Sequence, residues 1–124
     1  MERVTGIGGI FFKANDPERL KAWYRDHLGV PVDEHGYVSF PTAGDAGPST
    51  AWSPFARDTT YFAPSEAPFM VNFRVKDLRA MLAQLRAAGA VVDDKVEEWP
   101  YGKFGWVMDP EGNRVELWEP IPQP

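Results

Sequence analysis

The chain contains no cysteine. That absence excludes disulfide frameworks, cysteine-based zinc sites, iron–sulfur clusters and thiol nucleophiles. Histidine is scarce, with two in 124 residues. Basic charge is also short: 13 Lys and Arg stand against 18 Asp and Glu, a formal net charge of −5. A nucleic-acid binder normally carries a basic patch, and none stands out in the sequence. No apolar run approaches the ~20 residues of a membrane span. The opening Met1-Glu2-Arg3 does not start a secretory signal pattern. The expectation is therefore one soluble, cytoplasmic domain with neither nucleic acid nor membrane as a partner.

Aromatics, in contrast, are plentiful: 8 Phe, 5 Trp and 4 Tyr make up 14% of the chain. Such an excess either fills the core or lines a pocket or an oligomer interface. The prolines, among them Pro31, Pro41, Pro48, Pro54, Pro64 and Pro68, separate apolar runs and so mark connections.

Local patterns divide the chain into alternating elements. Val4 to Phe12 is β-branched and aromatic, interrupted by Gly6, Gly8 and Gly9, and reads as a strand with close backbone approaches. Asp16-Pro17-Glu18 then announces a helix: an N-cap, a first-turn proline and an acid at the positive end of the dipole. Leu20, Trp23, Tyr24 and Leu28 recur at helical spacing, and Gly29 supplies the stop. Strands are expected at Tyr37–Phe40 and Ser49–Ser53, followed by a proline-punctuated linker. The pattern then restarts, with a strand at Phe69–Val75, an N-cap at Asp77 and a helix carrying Leu78, Met81, Leu82 and Leu85 up to Gly89. Val91-Val92, Val96, Phe104–Met108 and Arg114–Trp118 supply further strands, and Asp109-Pro110-Glu111-Gly112-Asn113 forms the turn between the last two.

The two halves superimpose. Asp16 matches Asp77, Gly29 matches Gly89, and Trp52-Ser53-Pro54 matches Trp118-Glu119-Pro120, always in the same order. This order argues for duplication of one strand–helix–strands unit. Residues 1–54 would form the first unit, 55–68 a linker and 69–120 the second. Neither unit can bury both a helix and a sheet face alone, so the two should pair within one domain spanning 1–124.

Two stretches carry a resemblance. Gly9-Ile-Phe-Phe-Lys-Ala-Asn-Asp-Pro-Glu-Arg-Leu-Lys-Ala-Trp-Tyr-Arg-Asp-His-Leu-Gly29 resembles the opening module of the vicinal oxygen chelate superfamily. Phe104-Gly-Trp-Val-Met-Asp-Pro-Glu-Gly-Asn-Arg-Val-Glu-Leu-Trp-Glu119 is similar to its closing segment. That superfamily includes glyoxalase I, bleomycin resistance proteins, fosfomycin resistance proteins and extradiol dioxygenases. The resemblance implies an α+β fold of two tandem βαβββ modules whose sheets curl around a shared cup, often completed by a homodimer. In the superfamily's metal enzymes four side chains in the cup hold a divalent ion. Those positions fall here on Gly9, Thr50, Met70 and Glu116, of which only Glu116 is a plausible hard-metal ligand. His27 falls at a helix C-terminus, where an imidazole suits the dipole, and His35 in a turn. The expectation is a degenerate metal site with no cofactor.

Strand alternation then predicts the rest of the cup. Phe11, Thr50, Trp52, Met70, Asn72, Arg74 and Trp118 are expected to line it, and Tyr101 to approach from the loop before the penultimate strand. The linker aromatics Tyr61, Phe62 and Phe69 are expected at a lid or, preferentially, a dimer surface. An apolar wall with a few polar points suits a small aromatic or apolar ligand. The alternative is a metal-independent lyase or isomerase of glyoxalase type, with Glu116 as base if burial raises its pKa. Against that stands a structural ion pair of Glu116 with Arg74 or Arg114. A third reading makes the cup vestigial and the protein an interaction subunit.

Overall fold

A computed structural model describes residues 1–41 and 49–121 of the chain. Its first strand, β1 (Val4–Ala14), leads into helix α1 (Pro17–Leu28), then β2 (Ser39–Pro41) and β3 (Ser49–Ala56). After a segment without regular structure come β4 (Phe69–Val75), α2 (Leu78–Ala87), β5 (Val91–Val92) and β6 (Glu97–Trp99). A closing hairpin of β7 (Gly102–Met108) and β8 (Arg114–Pro120) completes the order. The strands form one eight-stranded mixed sheet, ordered β2-β3-β1-β4-β8-β7-β5 with β6 paired to β7. Two helices with an open, curled mixed sheet make the α+β class expected from the sequence. No helix among the described residues is long and apolar enough to cross a membrane.

The helix ends follow the capping chemistry. The Asp16 carboxylate accepts the Arg19 amide at 3.1 Å, and the Asp77 carboxylate accepts the Ala80 amide at 3.0 Å. Gly29 closes α1 in the left-handed conformation, with φ of 70°. Helix α2 buries Leu78, Met81 and Leu82 against Val75 and Leu117. Each such side chain contributes about 1.5–3 kcal/mol, which makes this the firmer of the two helix–sheet contacts. Helix α1 buries no residue fully. Its Tyr24 ring lies 4.7 Å from that of Trp52 on β3, and Lys21 Nζ donates to the Gly36 carbonyl at 2.9 Å.

The sheet repeats one arrangement. β1 pairs with β3 in parallel, Gly9 opposite Ala51, and β4 pairs with β8 in parallel, Asn72 opposite Glu116. β1 and β4 join the halves antiparallel, Phe11 opposite Met70, with irregularities near Gly6 and Gly9. β3 runs through Pro54 to Ala56 rather than ending at Ser53. A proline is admissible there because the β2 pairing covers only Ser49 to Ala51, leaving the outer edge of β3 open beyond it.

Candidate functional site

Glu116 lies near the middle of β8 and is 2% exposed. A carboxylate so deeply buried needs donors, and three reach it. Asn72 Nδ2 on β4 donates to Oε1 at 2.6 Å, and Trp106 Nε1 on β7 donates to Oε2 at 3.0 Å. The Tyr61 hydroxyl donates a short hydrogen bond to the same Oε2. Asn72 and Trp106 are the residues directly opposite Glu116 on its two neighbouring strands. Burial pushes the Glu116 pKa up, while the three donors and the nearby Arg114 charge work against that rise. Burial, and then the charge of Glu116, also push the Tyr61 phenol up, so it stays a donor at neutral pH.

Rings enclose this carboxylate. Phe62, Met70 and Trp106 form a buried cluster, with Phe11, Phe55, Tyr61 and Phe104 packed around it. Phe62 is fully buried and Tyr61 half-buried. The linker aromatics Tyr61 and Phe62 thus turn inward and fill the cup instead of forming a dimer surface, because two rings gain more against the sheet than in water. Only Phe69 stays exposed. Arg114 pins the segment: its Nη1 donates to the Tyr61 carbonyl at 2.5 Å and its guanidinium lies 4.7 Å over the Trp106 ring.

The glycines of β1 make room for a second feature. Arg74 is buried and spans β1, its Nη1 donating to the carbonyls of Ile7 at 2.6 Å and Ser49 at 3.0 Å. A Cβ on Gly6 would collide with the guanidinium. One on Gly8 would collide with Asn72 Oδ1 and stand 2.9 Å from Trp118 Cε3. That Asn72 Oδ1 is buried without a hydrogen-bond partner. Neither Arg74 nor Arg114 pairs with Glu116: Arg74 serves main-chain carbonyls, and Arg114 pairs with Asp93 at 3.3 Å.

The expected site residues separate into groups. Phe11, Met70 and Asn72 gather around Glu116 or the ring cluster beside it. Thr50 Oγ1 is occupied with the Ile7 carbonyl at 2.9 Å and lies 3.4 Å from Arg74 Nη1. Trp118 stacks on Phe104, with centroids 6.0 Å apart and planes at 3°. Exposed Tyr101 packs its ring on Phe104 and offers its carbonyl to Trp118 Nε1. Trp52 corrects the expectation of a cup residue: it packs on Phe12 and Tyr24, the α1 side of the sheet. The β1–β3 register explains why, since Trp52 stands opposite Ile10 and one pleat from Phe11. His27 packs on Trp23 in the last turn of α1, and His35 is an exposed turn residue 3.5 Å from Glu34. Among the described residues no three of His, Asp and Glu gather as an ion would need.

Two partners of Glu116 escaped the sequence reading. Trp106 was within reach, because the turn at Asp109–Asn113 sets a hairpin register that puts Trp106 opposite Glu116. Tyr61 had no such signal, since it belongs to no strand or helix.

With this geometry in hand, the chain matches the family model of the glyoxalase-like domain over residues 9–118. The chain belongs to the glyoxalase-like family. Its fold is similar to that of a point-substituted variant of methylmalonyl-CoA epimerase from Streptomyces coelicolor in complex with 2-nitronate-propionyl-CoA. That likeness has 17% identity and a TM-score of 0.73, over 96% of this chain and 99% of the other. Methylmalonyl-CoA epimerase from Mycobacterium tuberculosis is similar at 20% identity and a TM-score of 0.65, over 96% and 90% of the two chains. A glyoxalase/bleomycin resistance protein/dioxygenase superfamily member from Vibrio splendidus shares 16% identity, with a TM-score of 0.59 over 96% and 99%. At these identities the likeness is one of fold. No curated protein matches the sequence of this glyoxalase-like chain.

Proposed function

We propose that this glyoxalase-like protein binds a small planar aromatic or apolar molecule in its cup, with Glu116 rather than a resident metal as the polar point of recognition. The observation that carries the reading is the Glu116 carboxylate, closed in by three donors within a wall of rings. The residues at the superfamily's ligand positions do not fit a divalent ion. Gly9 has no side chain, Met70 is locked in the apolar cluster, and Thr50 Oγ1 donates to a carbonyl. Both Glu116 oxygens already accept from N–H or O–H donors, and those donor groups bring no lone pair that would complete an ion's coordination.

A purely structural core has little use for a central carboxylate, since its desolvation costs more than an apolar side chain of similar volume would. Of the three donors, Tyr61 comes from an irregular segment, whereas Asn72 and Trp106 are fixed in strands. A ligand N–H or O–H that replaces the Tyr61 hydroxyl on Oε2 would enter with the least disturbance. The net charge of −5 suits a cationic planar ligand. The protein is proposed to work as a homodimer, and the exposed Val4, Ile7 and Ile10 of β1 support an apolar contact with a second copy.

Calorimetry and tryptophan fluorescence against a panel of planar aromatic and cationic compounds test this reading. Saturable heat, a shifted tryptophan emission and loss of both in Glu116→Leu are expected. No heat and an unmoved emission across the panel would sink it, and favour a cup permanently filled by Phe62 and Tyr61.

A second reading rests on the burial that pushes the Glu116 pKa up, the direction in which a carboxylate becomes a stronger base. It makes the protein a metal-independent lyase or isomerase. Hemithioacetal turnover that survives dialysis against chelator and disappears in Glu116→Gln would establish that reading. Absence of turnover in the wild type would end it.

A further inference from the structure

Away from Glu116, at the junction of β1, α1 and the segment leaving β3, lies a cavity of about 420 Å³. Three of its lining residues are cations: Lys13 from β1, Arg19 from α1 and Arg57 from the segment after β3. None of the three forms an ion pair among the described residues, although ion pairs are common elsewhere on this surface. Lys13 Nζ lies 5.9 Å over the Phe62 ring. That leaves Arg19 and Arg57 as two cations with neither an ion pair nor a ring partner among the described residues, in a protein with a formal charge of −5. Like charges gathered in one place repel, and such an arrangement is retained at a cost unless an anion relieves it.

The cluster is also partly organised. Arg57 Nε donates to Asn15 Oδ1 at 3.1 Å, and among the described residues its two terminal nitrogens make no hydrogen bond. The single acid lining the cavity, Asp16, is committed to capping α1 through the Arg19 amide. It lowers the local charge by one and leaves an excess of cations. Trp23, one helical turn beyond Arg19, completes the wall and is 50% exposed. Positions i and i+4 share a helix face, so Arg19 and Trp23 front the same space. An indole beside guanidinium groups presents a stacking face next to charge-assisted donors, and forked guanidinium donors match phosphate oxygens.

We infer that this cavity binds a phosphorylated aromatic small molecule of the nucleotide class. The phosphoryl oxygens sit between Arg19 and Arg57, and the planar ring stacks on Trp23. Lys13 links the cavity to the ring cluster through Phe62, but Arg19, Arg57 and Trp23 lie outside that cluster, so the inference does not rest on the role proposed for Glu116.

The test is calorimetry on the full chain at low ionic strength with 5′-AMP, ribose 5-phosphate, inorganic phosphate and adenosine as probes. AMP should bind saturably, with the affinity falling as salt is raised. Adenosine should bind more weakly than AMP by about tenfold or more, the worth of one charge-assisted contact. Ribose 5-phosphate and inorganic phosphate separate the phosphate contribution from that of the ring, and both should bind more weakly than AMP. Arg19→Gln and Arg57→Gln should each weaken AMP about tenfold, and Trp23→Ala should bring AMP down to the affinity of ribose 5-phosphate. Arg19 and Arg57 are exposed, so these variants should keep the wild-type melting profile. Glu116→Gln should bind AMP as the wild type does, whatever the cup holds. Absence of saturable AMP binding, or AMP affinity unchanged in an Arg19→Gln/Arg57→Gln double variant, overturns the inference.

Discussion

Trp106 and Glu116 stand directly opposite each other on the closing hairpin, with the indole Nε1 3.0 Å from Oε2. One antiparallel pair thereby places a buried donor on a buried acid. In Trp106→Phe the ring packing is largely kept and the donor is lost. The expected cost is about 1–3 kcal/mol, that of weakening the satisfaction of a buried charged acceptor. Urea denaturation measures it. A loss no larger than that of an exposed ring, such as Trp99→Phe, would show that the bond contributes little.

Tyr61 shares that same oxygen and ties the irregular segment to the sheet. Tyr61→Phe should destabilise the fold by about 1–2 kcal/mol and drive the Glu116 pKa further up, because a bond that favours the charged form is gone. Carboxyl NMR titration reads the second effect. An unchanged Glu116 titration would mean that the two groups are not coupled in solution.

The direction of the Glu116 shift sets a pH dependence. Its folded-state pKa is raised by burial, so the associated stability is complete below the ordinary carboxylate range. It is lost as pH rises through the folded value. Relative to the non-titrating Glu116→Gln, the wild type should therefore lose stability over that interval as the solution becomes less acid. Urea midpoints of both proteins across the interval give the difference. A constant difference at every pH would contradict burial as the dominant influence.

Gly8 tests the close approach over β1. A methyl group there meets Asn72 Oδ1 and Trp118 Cε3, and Asn72 is buried. Gly8→Ala should cost about 1–3 kcal/mol through overpacking and disturb the Asn72–Glu116 bond. Thermal melts of the variant against the wild type measure it. A neutral result would place the strand farther from Arg74 and Asn72 than the structure has it.

Trp52 tests the assignment of faces. Because it packs under α1 on Phe12 and Tyr24, Trp52→Phe should loosen α1 and leave binding in the cup unaltered. A cup ligand whose affinity changes severalfold in that variant would return Trp52 to the binding surface.

Much of this protein follows from local rules. Asp16 and Asp77 begin helices because their carboxylates reach amides three residues on, and Asp109–Asn113 turns the closing hairpin. Period-two alternation correctly turned Leu117 and Val115 toward α2 and Glu116 away from it. It misplaced Trp52 because facial parity was carried across from another strand, whereas the actual pleat depends on how β3 registers with β1.

What the sequence by itself determined was the two strand–helix repeats, their caps, the family, and a lone acid in the middle of the last strand. All of these rest on neighbours a few residues apart, whereas β6 forms at Glu97–Trp99 and not at Val96. Tertiary structure decided the surroundings of that acid: Tyr61 from 55 residues away, Asn72 from 44, and an Arg74 that spends its charge on carbonyls. Such contacts arise only when the sheet has curled and an irregular segment has found the space inside it. No periodicity encodes where that segment lands, because its rings are placed by the volume left to fill.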